Sequence, residues 1–329
     1  MNVLITGGAG FLGQRLVQAL LRKGMLMGPT GVPELIRKIT LLDVVAAQVP
    51  YEPRLEIVAG DIADVEVLRS VISAKTAAVF HLAAVVSGQA ELDFDLGMQV
   101  NLDATRLLLD VCREMGAKPR VVFTSSVAVY GGALPDVVQD STALNPQSSY
   151  GVQKAISELL LSDYHRKGFV DGRVARLPTI SVRPGKPNQA ASSFASGIIR
   201  EPLNGLEADC PVSKDTKLWL MSPKIAIACL LAVHDLPSEI LGSNRAINLP
   251  GLSLTAGDME DALRRVASEA VASRIRWIRN PQVERIVGSW PGSWDTKRAL
   301  HMALPADTDF DSVIRDYMED LDKYVSSVN

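Results

Sequence analysis

The stretch "VLITGGAGFLGQRLVQALL", residues 3–21, joins a short apolar strand, a group of glycines and an amphipathic helical segment. Gly8, Gly10 and Gly13 satisfy the spacing GxGxxG, and Gly7 with the last two satisfies GxxGxxG. Glycines at such a turn let the backbone approach a pyrophosphate, which the free N–H groups and dipole of the helix N-terminus attract. The stretch therefore predicts a dinucleotide site, with a glycine turn that binds no ligand as the alternative.

The first half of the chain alternates short runs rich in β-branched residues with longer segments of helical periodicity. The predicted strands cover residues 3–5, 39–42, 55–58, 78–82, 121–124 and 173–177. The predicted helices include residues 12–20, 102–113 and 155–164. Strands that are apolar on both faces and separated by helices predict an α/β fold, a doubly wound Rossmann parallel sheet with helices on both sides.

The alternation fades after about residue 178. There "SVRPGKPNQAASSF", residues 181–194, is rich in Pro, Gly, Asn and Ser and predicts a loop. We expect residues 1–177 to form the dinucleotide-binding domain, with the chain returning to it around residues 215–250. Residues 178–329 then form mainly a smaller C-terminal substrate-binding region.

Composition excludes several classes of protein. A formal net charge of −3 argues against a nucleic-acid-binding surface. Three dispersed cysteines and four histidines support neither a disulfide framework nor a zinc cluster, so no metal is expected. The N-terminus lacks the cationic segment of a signal peptide, and no apolar run approaches the length of a membrane span. We predict a cytoplasmic protein.

Acidic residues follow two of the predicted strands. Asp43 ends "ITLLD", where a carboxylate can accept hydrogen bonds from an adenosine ribose and repels a 2′-phosphate. No Arg or Lys follows directly in "DVVAAQ", so NAD is favoured over NADP; the alternative is that Asp43 only begins a loop. Asp61 ends the next strand, where it either meets the adenine edge or caps the following helix.

Tyr150 and Lys154 stand four residues apart in a segment patterned as a helix, so both side chains lie on one face. A phenol has a pKa of about 10 in water and is a poor base at neutral pH. An adjacent ammonium stabilises the phenolate and lowers that pKa. The pair therefore predicts an acid/base group for a substrate hydroxyl.

Hydroxyl side chains mark the end of the predicted strand "RVVFTSSVAVYGG", residues 120–132. In an open α/β sheet the ligand crevice lies outside the carboxyl ends of the strands. Ser125 and Ser126 are therefore both candidates to hydrogen-bond the substrate oxygen, and their adjacency leaves the choice between them open.

These motifs together resemble the extended short-chain dehydrogenase/reductase family over almost the whole chain. They are TGGxGxxG, "HLAA" at residues 81–84, "VN" at residues 100–101, SSxxxYG at residues 125–131 and YxxxK at residues 150–154. The resemblance implies an NAD-dependent enzyme with Ser126 as hydroxyl-polarising donor, Tyr150 as acid/base, and Lys154 as the residue that binds the nicotinamide ribose. Asn101 is implied mainly as a support of the sheet.

The resemblance also implies the residues that contact ligands. The implied cofactor-binding residues are Gly7, Gly10, Phe11, Leu12, Gly13, Asp43, Asp61, Ile62, Leu82, Ala83, Ala84, Ser125, Tyr150, Lys154 and Leu177. The implied substrate-binding residues are Ser87, Ser126, Tyr150 and Arg183. A homodimer is expected by the same likeness.

The loop of residues 181–194 indicates the substrate class. It contains Arg183 and Lys186, and guanidinium groups match carboxylates, so a small acidic substrate is favoured. The alternative is a solvated loop or an interface. The segments "RPGKPNQAASSF", "HLAAVVSGQAELDFDLG", "RKGFVDG" and "EPLNG" resemble family members that oxidise the C2 hydroxyl of a four-carbon sugar acid with NAD.

Two other functions stay open at this point. Many extended family members act on nucleotide sugars and carry a late "VDD"-like helix start, where this chain has Ser222 and Pro223. That departure disfavours a nucleotide-sugar epimerase or dehydratase with tightly bound NAD. The alternative from another class is a non-catalytic module that senses NAD.

Overall fold

The computed structural model has a parallel β-sheet at its centre. It describes residues 1–328, with side chains as far as Leu321. The strands of the chain are β1 (Asn2–Thr6), β2 (Met25–Met27), β3 (Pro33–Leu35), β4 (Lys38–Asp43), β5 (Leu55–Ala59), β6 (Thr76–His81), β7 (Arg120–Ser126), β8 (Asp171–Leu177), β9 (Thr179–Ile180), β10 (Ala208–Cys210), β11 (Lys217–Met221), β12 (Ala246–Asn248), β13 (Leu252–Thr255) and β14 (Ile275–Trp277). Seven of them form one sheet in the order β12-β8-β7-β6-β1-β4-β5, with every pairing parallel. This confirms the predicted fold class.

Helices cover both faces of this sheet. They are α1 (Phe11–Lys23), α2 (Val65–Val71), α3 (Ser87–Leu92), α4 (Phe94–Gly97), α5 (Ala104–Glu114), α6 (Ser149–Arg166), α7 (Phe194–Leu203), α8 (Pro223–Asp235), α9 (Ser238–Leu241), α10 (Ala256–Val266), α11 (Glu269–Ala272), α12 (Pro281–Val287), α13 (Lys297–His301) and α14 (Phe310–Val328). A π-helix, Met98–Asp103, precedes α5, and a 3₁₀ turn, Val127–Val129, follows β7. One apolar cluster packs α1 and α8 on one sheet face, and another packs α2 and α5 on the other.

The strand order explains where a ligand can bind. Strands β4 and β5 lie on one side of β1, whereas β6, β7 and β8 lie on its other side. The order in which successive strands are added to the sheet therefore reverses between β1 and β6. Such a switch point opens a crevice at the carboxyl ends of the strands. The glycine turn after β1 and the "HLAA" segment after β6 meet there, since a Cβ on Gly7 would stand 2.8 Å from the Ala83 amide nitrogen.

The C-terminal half has its own apolar cluster, which includes Phe194, Ile198, Met259 and Ile314. It also forms two small sheets, β13-β11-β9 and β10-β14. Strand β12 pairs in parallel with β8, so the chain returns to the edge of the main sheet at residues 246–248. The proposed division at residue 177 stays a prediction.

Among residues 1–328, no helix combines the length and apolar composition that crossing a bilayer requires. The expected cytoplasmic location stays a prediction.

Candidate active site

A cavity of about 350 Å³ lies at the carboxyl ends of the sheet, between the glycine turn and the C-terminal region. Twelve predicted site residues line it: Gly7, Gly10, Phe11, Leu12, Gly13, Leu82, Ser87, Ser125, Ser126, Tyr150, Leu177 and Arg183. Five distant segments of the chain thus supply one concave surface. Such a surface is the usual form of a small-molecule site.

The glycine turn has no room for side chains. Gly7 has φ of +72°, a region that favours glycine, and a Cβ on Gly13 would collide with the Gly7 carbonyl oxygen. This close packing brings the N-terminus of α1 against the end of β1. The backbone is therefore shaped as a pyrophosphate cradle requires.

Asp43 lies beside this turn and is only partly buried, although it is not part of the cavity lining. Its Oδ2 accepts a hydrogen bond from the Ala9 amide at 3.0 Å, which ties the end of β4 to the glycine turn. The other carboxylate oxygen has no partner among the described residues and suits a ribose diol. The cradle and this carboxylate together fit an NAD molecule.

Four other predicted cofactor residues lie outside the cavity lining. The exposed Asp61 accepts a hydrogen bond from the Ala63 amide at 2.8 Å, while Asp64 caps α2, so Asp61 forms a turn just before the helix. Ile62 is buried in the core. Ala83 donates its amide to the Thr6 hydroxyl at 3.3 Å, and Ala84 is exposed. Their roles toward a cofactor stay predictions.

Tyr150 and Lys154 lie on one face of α6, as their spacing predicts. Ser148 begins this helix by accepting a hydrogen bond from the Gly151 amide at 3.2 Å. The Lys154 ammonium is 5.7 Å from the centre of the Tyr150 ring and donates to the Thr124 carbonyl at 2.9 Å. Lys154 is 1 % exposed, so it lies beneath the cavity rather than in its lining.

The expectation that Lys154 lowers the pKa of Tyr150 is wrong for the structure. Burial raises the pKa of Tyr150 to about 12, and hydrogen bonding with Ser126 only partly opposes this shift. Burial also lowers the pKa of Lys154 to about 7, against the opposing effect of Glu158. Desolvation therefore outweighs the attraction that the spacing of the two residues suggested.

The two adjacent serines of β7 point to different partners. The Ser125 hydroxyl, 2 % exposed, hydrogen-bonds the buried Glu158 carboxylate. Ser126 is only partly buried, and its hydroxyl lies with Tyr150 in the cavity. Successive strand residues face opposite sides, which explains the separation. The geometry favours Ser126 as the group that contacts a substrate.

Asn101 lies in the π-helix and is buried. Its side chain bonds both the amide and the carbonyl of Val85, at 2.8 and 3.1 Å, and donates to Gln153 of α6 at 2.8 Å. Asn101 thus braces the segment after β6 against the helix that carries Tyr150. These contacts are structural, in line with the support of the sheet that the family resemblance implies for Asn101.

Two of the predicted substrate-binding residues, Arg183 and Ser87, line the cavity at the loop of residues 181–194. Arg183 is partly buried and has no carboxylate partner among the described side chains, only Asn188 Oδ1 at 3.4 Å. Arg200 donates to the Arg183 carbonyl at 2.8 Å and adds positive charge. The Ser87 hydroxyl accepts a hydrogen bond from the Ala191 amide at 3.2 Å, which fastens the loop of residues 181–194 over the cavity.

Sequence reasoning missed several residues of the lining. They are Val86, Val127, Pro178, Thr179, Ile180, Ala190, Ser192 and Trp290. Trp290 is the most distant in sequence and comes from the turn after α12. Nothing near it resembles a binding motif, so only the packing of the C-terminal region onto the sheet identifies it.

Comparison with known proteins agrees with this geometry. The model of the "NAD dependent epimerase/dehydratase family" matches residues 3–220. The chain belongs to this family. As a family member it is an NAD-dependent oxidoreductase, in agreement with the fold, the glycine cradle and Asp43.

Individual relatives match over nearly the full chain. A D-erythronate dehydrogenase of Cupriavidus necator is 65% identical over 97% of this chain and 98% of its own. A D-erythronate dehydrogenase of Haemophilus influenzae is 46% identical over 97% of this chain and 99% of its own. The solved structure of a nucleoside-diphosphate-sugar epimerase from Agrobacterium tumefaciens is 43% identical with a TM-score of 0.90, covering 97% of this chain and 94% of that one.

Replacing Asp43 by Asn tests the cofactor geometry. The amide keeps the size of the side chain and can still accept from Ala9, but it loses the charge that binds a ribose diol and repels a 2′-phosphate. We expect the Kd for NADH to rise about tenfold, because hydrogen bonds to charged groups contribute about 1.5–3 kcal/mol, and the preference for NADH over NADPH to narrow. Fluorescence titration of both cofactors measures this, with Asp64→Asn as the control; equal Kd values in wild type and Asp43→Asn would contradict it.

Proposed function

We propose that this protein oxidises the C2 hydroxyl of a small sugar acid, D-erythronate or a close analogue, to the 2-oxo acid with NAD. The observation that carries the proposal is the convergence of Ser126, Tyr150 and Arg183, which has no carboxylate partner among the described side chains, on one cavity beside the glycine cradle. The two D-erythronate dehydrogenases that match nearly the whole chain support the substrate.

Arg183 provides the first step, which is binding. A guanidinium without an ion-pair partner, in partly buried surroundings, attracts a carboxylate strongly. The carboxylate of the substrate docks there, and Ser87 lies on the same side of the cavity. This orientation directs the C2 hydroxyl toward Ser126 and Tyr150.

Tyr150 then takes the proton of the C2 hydroxyl while the C–H bond breaks. The Ser126 hydroxyl donates a hydrogen bond to the substrate oxygen as it becomes a carbonyl. The glycine cradle and Asp43 would hold NAD⁺, which would supply the hydride acceptor and a positive charge that favours the phenolate form of Tyr150. The Lys154 ammonium, 5.7 Å from the Tyr150 ring centre, stabilises negative charge on the phenol.

A second candidate is a nucleotide-sugar epimerase, which the structure from Agrobacterium tumefaciens favours by its description. The cavity, about 350 Å³, has to accommodate the nicotinamide end of NAD and the substrate together. The guanidinium of Arg183 in its lining matches the carboxylate of a small acid. The two candidates differ in whether NADH accumulates, because an epimerase returns the hydride to its substrate.

NADH formation from D-erythronate tests the proposed function. We expect the purified protein to reduce NAD⁺ with D-erythronate and not with a UDP- or GDP-sugar. Tyr150→Phe keeps the ring but lacks the proton acceptor, so we expect kcat to fall at least a thousandfold while NADH binding is retained. The absorbance of NADH at saturating substrate measures the reduction of NAD⁺ and kcat, and fluorescence titration measures NADH binding. Absence of turnover with every four-carbon sugar acid, or full activity in Tyr150→Phe, would refute the proposal.

Arg183→Gln tests carboxylate docking. Loss of a charge-assisted, two-pronged hydrogen bond removes about 2–3 kcal/mol of binding, which corresponds to an increase in KM of about a hundredfold. NADH binding should be unchanged. Arg166→Gln, which removes an exposed guanidinium at the far end of α6, is the matched control. A KM for D-erythronate equal to that of wild type in Arg183→Gln would place the carboxylate elsewhere.

We also propose that two copies of the chain pair through the outer face of α6. Val152, Ile156 and Leu159 form one exposed apolar stripe at 40%, 37% and 68% exposure. Leu92 and Phe94, on the neighbouring α3 and α4, extend it at 76% and 58% exposure. A continuous exposed apolar patch of this kind marks an interaction surface.

Light scattering coupled to size-exclusion chromatography tests this pairing. We expect the wild type to run as a dimer and Leu159→Glu as a monomer, because a carboxylate buried in the paired surface is costly. Leu300→Glu, at an exposed leucine of α13, serves as the control. A monomeric wild type at tens of micromolar would contradict the proposal.

A further inference from the structure

One buried charged side chain close to the site has no role in the proposed reaction. Glu158 lies on α6, one turn after Lys154, and is 3 % exposed. Arg176 of β8 donates to both of its oxygens, through Nε at 3.0 and 3.1 Å and through Nη2 at 2.7 Å. Its Oε1 also bonds the Ser125 hydroxyl.

The pair belongs to a longer buried network. Arg176 Nη1 donates to the Tyr130 hydroxyl at 2.5 Å, and Tyr130 donates to Asn248 Oδ1 at 2.9 Å. A buried ion pair is often no more stabilising than apolar residues of the same volume. Stability alone therefore does not account for this network. The contact between Glu158 and Ser125 indicates another role.

Glu158 contacts the strand end that carries the candidate serine. Ser125 precedes Ser126, and the two side chains face opposite sides of β7. A carboxylate that holds the Ser125 hydroxyl consequently fixes the direction of Ser126 as well. The residue before them, Thr124, accepts the Lys154 ammonium at its carbonyl oxygen, so the same three-residue strand end joins all of these groups.

We propose that Glu158, held by Arg176, is a positioning residue with two effects. Its contact with Ser125 fixes the orientation of Ser126, and its charge, one helical turn from the ammonium, keeps Lys154 protonated. This inference rests on the proposed dehydrogenase chemistry. It assigns Glu158 no contact with substrate or cofactor.

The electrostatic surroundings of Lys154 support this arrangement. Burial lowers the pKa of Lys154, and Glu158 opposes the shift. The other titratable groups that face it are Tyr150 on α6 and His81 on β6, whose own pKa values of about 12 and about 3 leave both neutral near pH 7. Arg176 on β8 stays charged beside Glu158. Without the Glu158 charge, the pKa of Lys154 falls further.

Glu158→Gln tests the proposal, since the amide preserves volume and removes the charge. We expect kcat for D-erythronate to fall ten- to a hundredfold. Fluorescence titration measures the pH above which NADH binding weakens. We expect this pH to fall by about one unit, because Lys154 loses its proton at a lower pH. Glu260→Gln is the control: Glu260 is a buried, ion-paired carboxylate far from the cavity, and its loss should change thermal stability without moving either readout.

Ser125→Ala separates the effect of the Ser125 contact from the effect of the Glu158 charge. It removes the contact between Glu158 and the strand end but keeps the Glu158 charge, so we expect kcat to fall about tenfold while the pH above which NADH binding weakens stays as in wild type, whatever the Kd for NADH. A folded Glu158→Gln with the kcat and pH limit of wild type would overturn the inference. Unchanged kcat in Ser125→Ala would overturn the positioning of Ser126, even if Glu158→Gln proves too unstable to purify. An inactive wild type would instead refute the proposed function.

Discussion

The contact between the Lys154 ammonium and the Thr124 carbonyl is the constraint on which the site depends. It joins the helix that carries Tyr150 to the strand end that carries Ser126, and it holds a cation that is almost fully removed from water. Burying an ammonium is costly unless its donors are satisfied and a carboxylate lies near. The Thr124 carbonyl accepts from the ammonium, and the charge of Glu158 opposes the effect of burial on the pKa of Lys154.

The sheet assembles the remaining parts around this contact. All seven strands run parallel, so their carboxyl ends lie along one edge, and the turn after β1, the end of β7 and the loop after β8 open into one cavity. The glycine turn lines one side of the cavity, and Asp43 lies beside that turn. Arg183 and Trp290, from the C-terminal half, line it as well. The cavity therefore lies where the two halves of the chain meet, and the proposed reaction is assigned to it.

Sequence reasoning predicted the sheet and the glycine turn because their signals are local. A strand, three spaced glycines and an amphipathic helix specify the turn wherever the rest of the chain lies. It failed for the pKa of Tyr150, because the four-residue spacing reveals a shared helix face but not how much water the fold removes from that face. It left Ser125 and Ser126 undecided, because Glu158 lies 32 residues beyond Ser126 and only folding brings it to Ser125.

The sequence by itself predicted the alternation of strands and helices in the first half of the chain, the glycine turn, and the pair Tyr150 and Lys154, since each depends on periodicity or on spacing within one element. Only the tertiary structure showed that Ser125 bonds Glu158 while Ser126 bonds Tyr150, that Arg183 lacks a carboxylate partner among the described residues, and that Trp290 lines the cavity. These properties arise from desolvation and from contacts between residues distant in the chain. No short stretch of sequence encodes them.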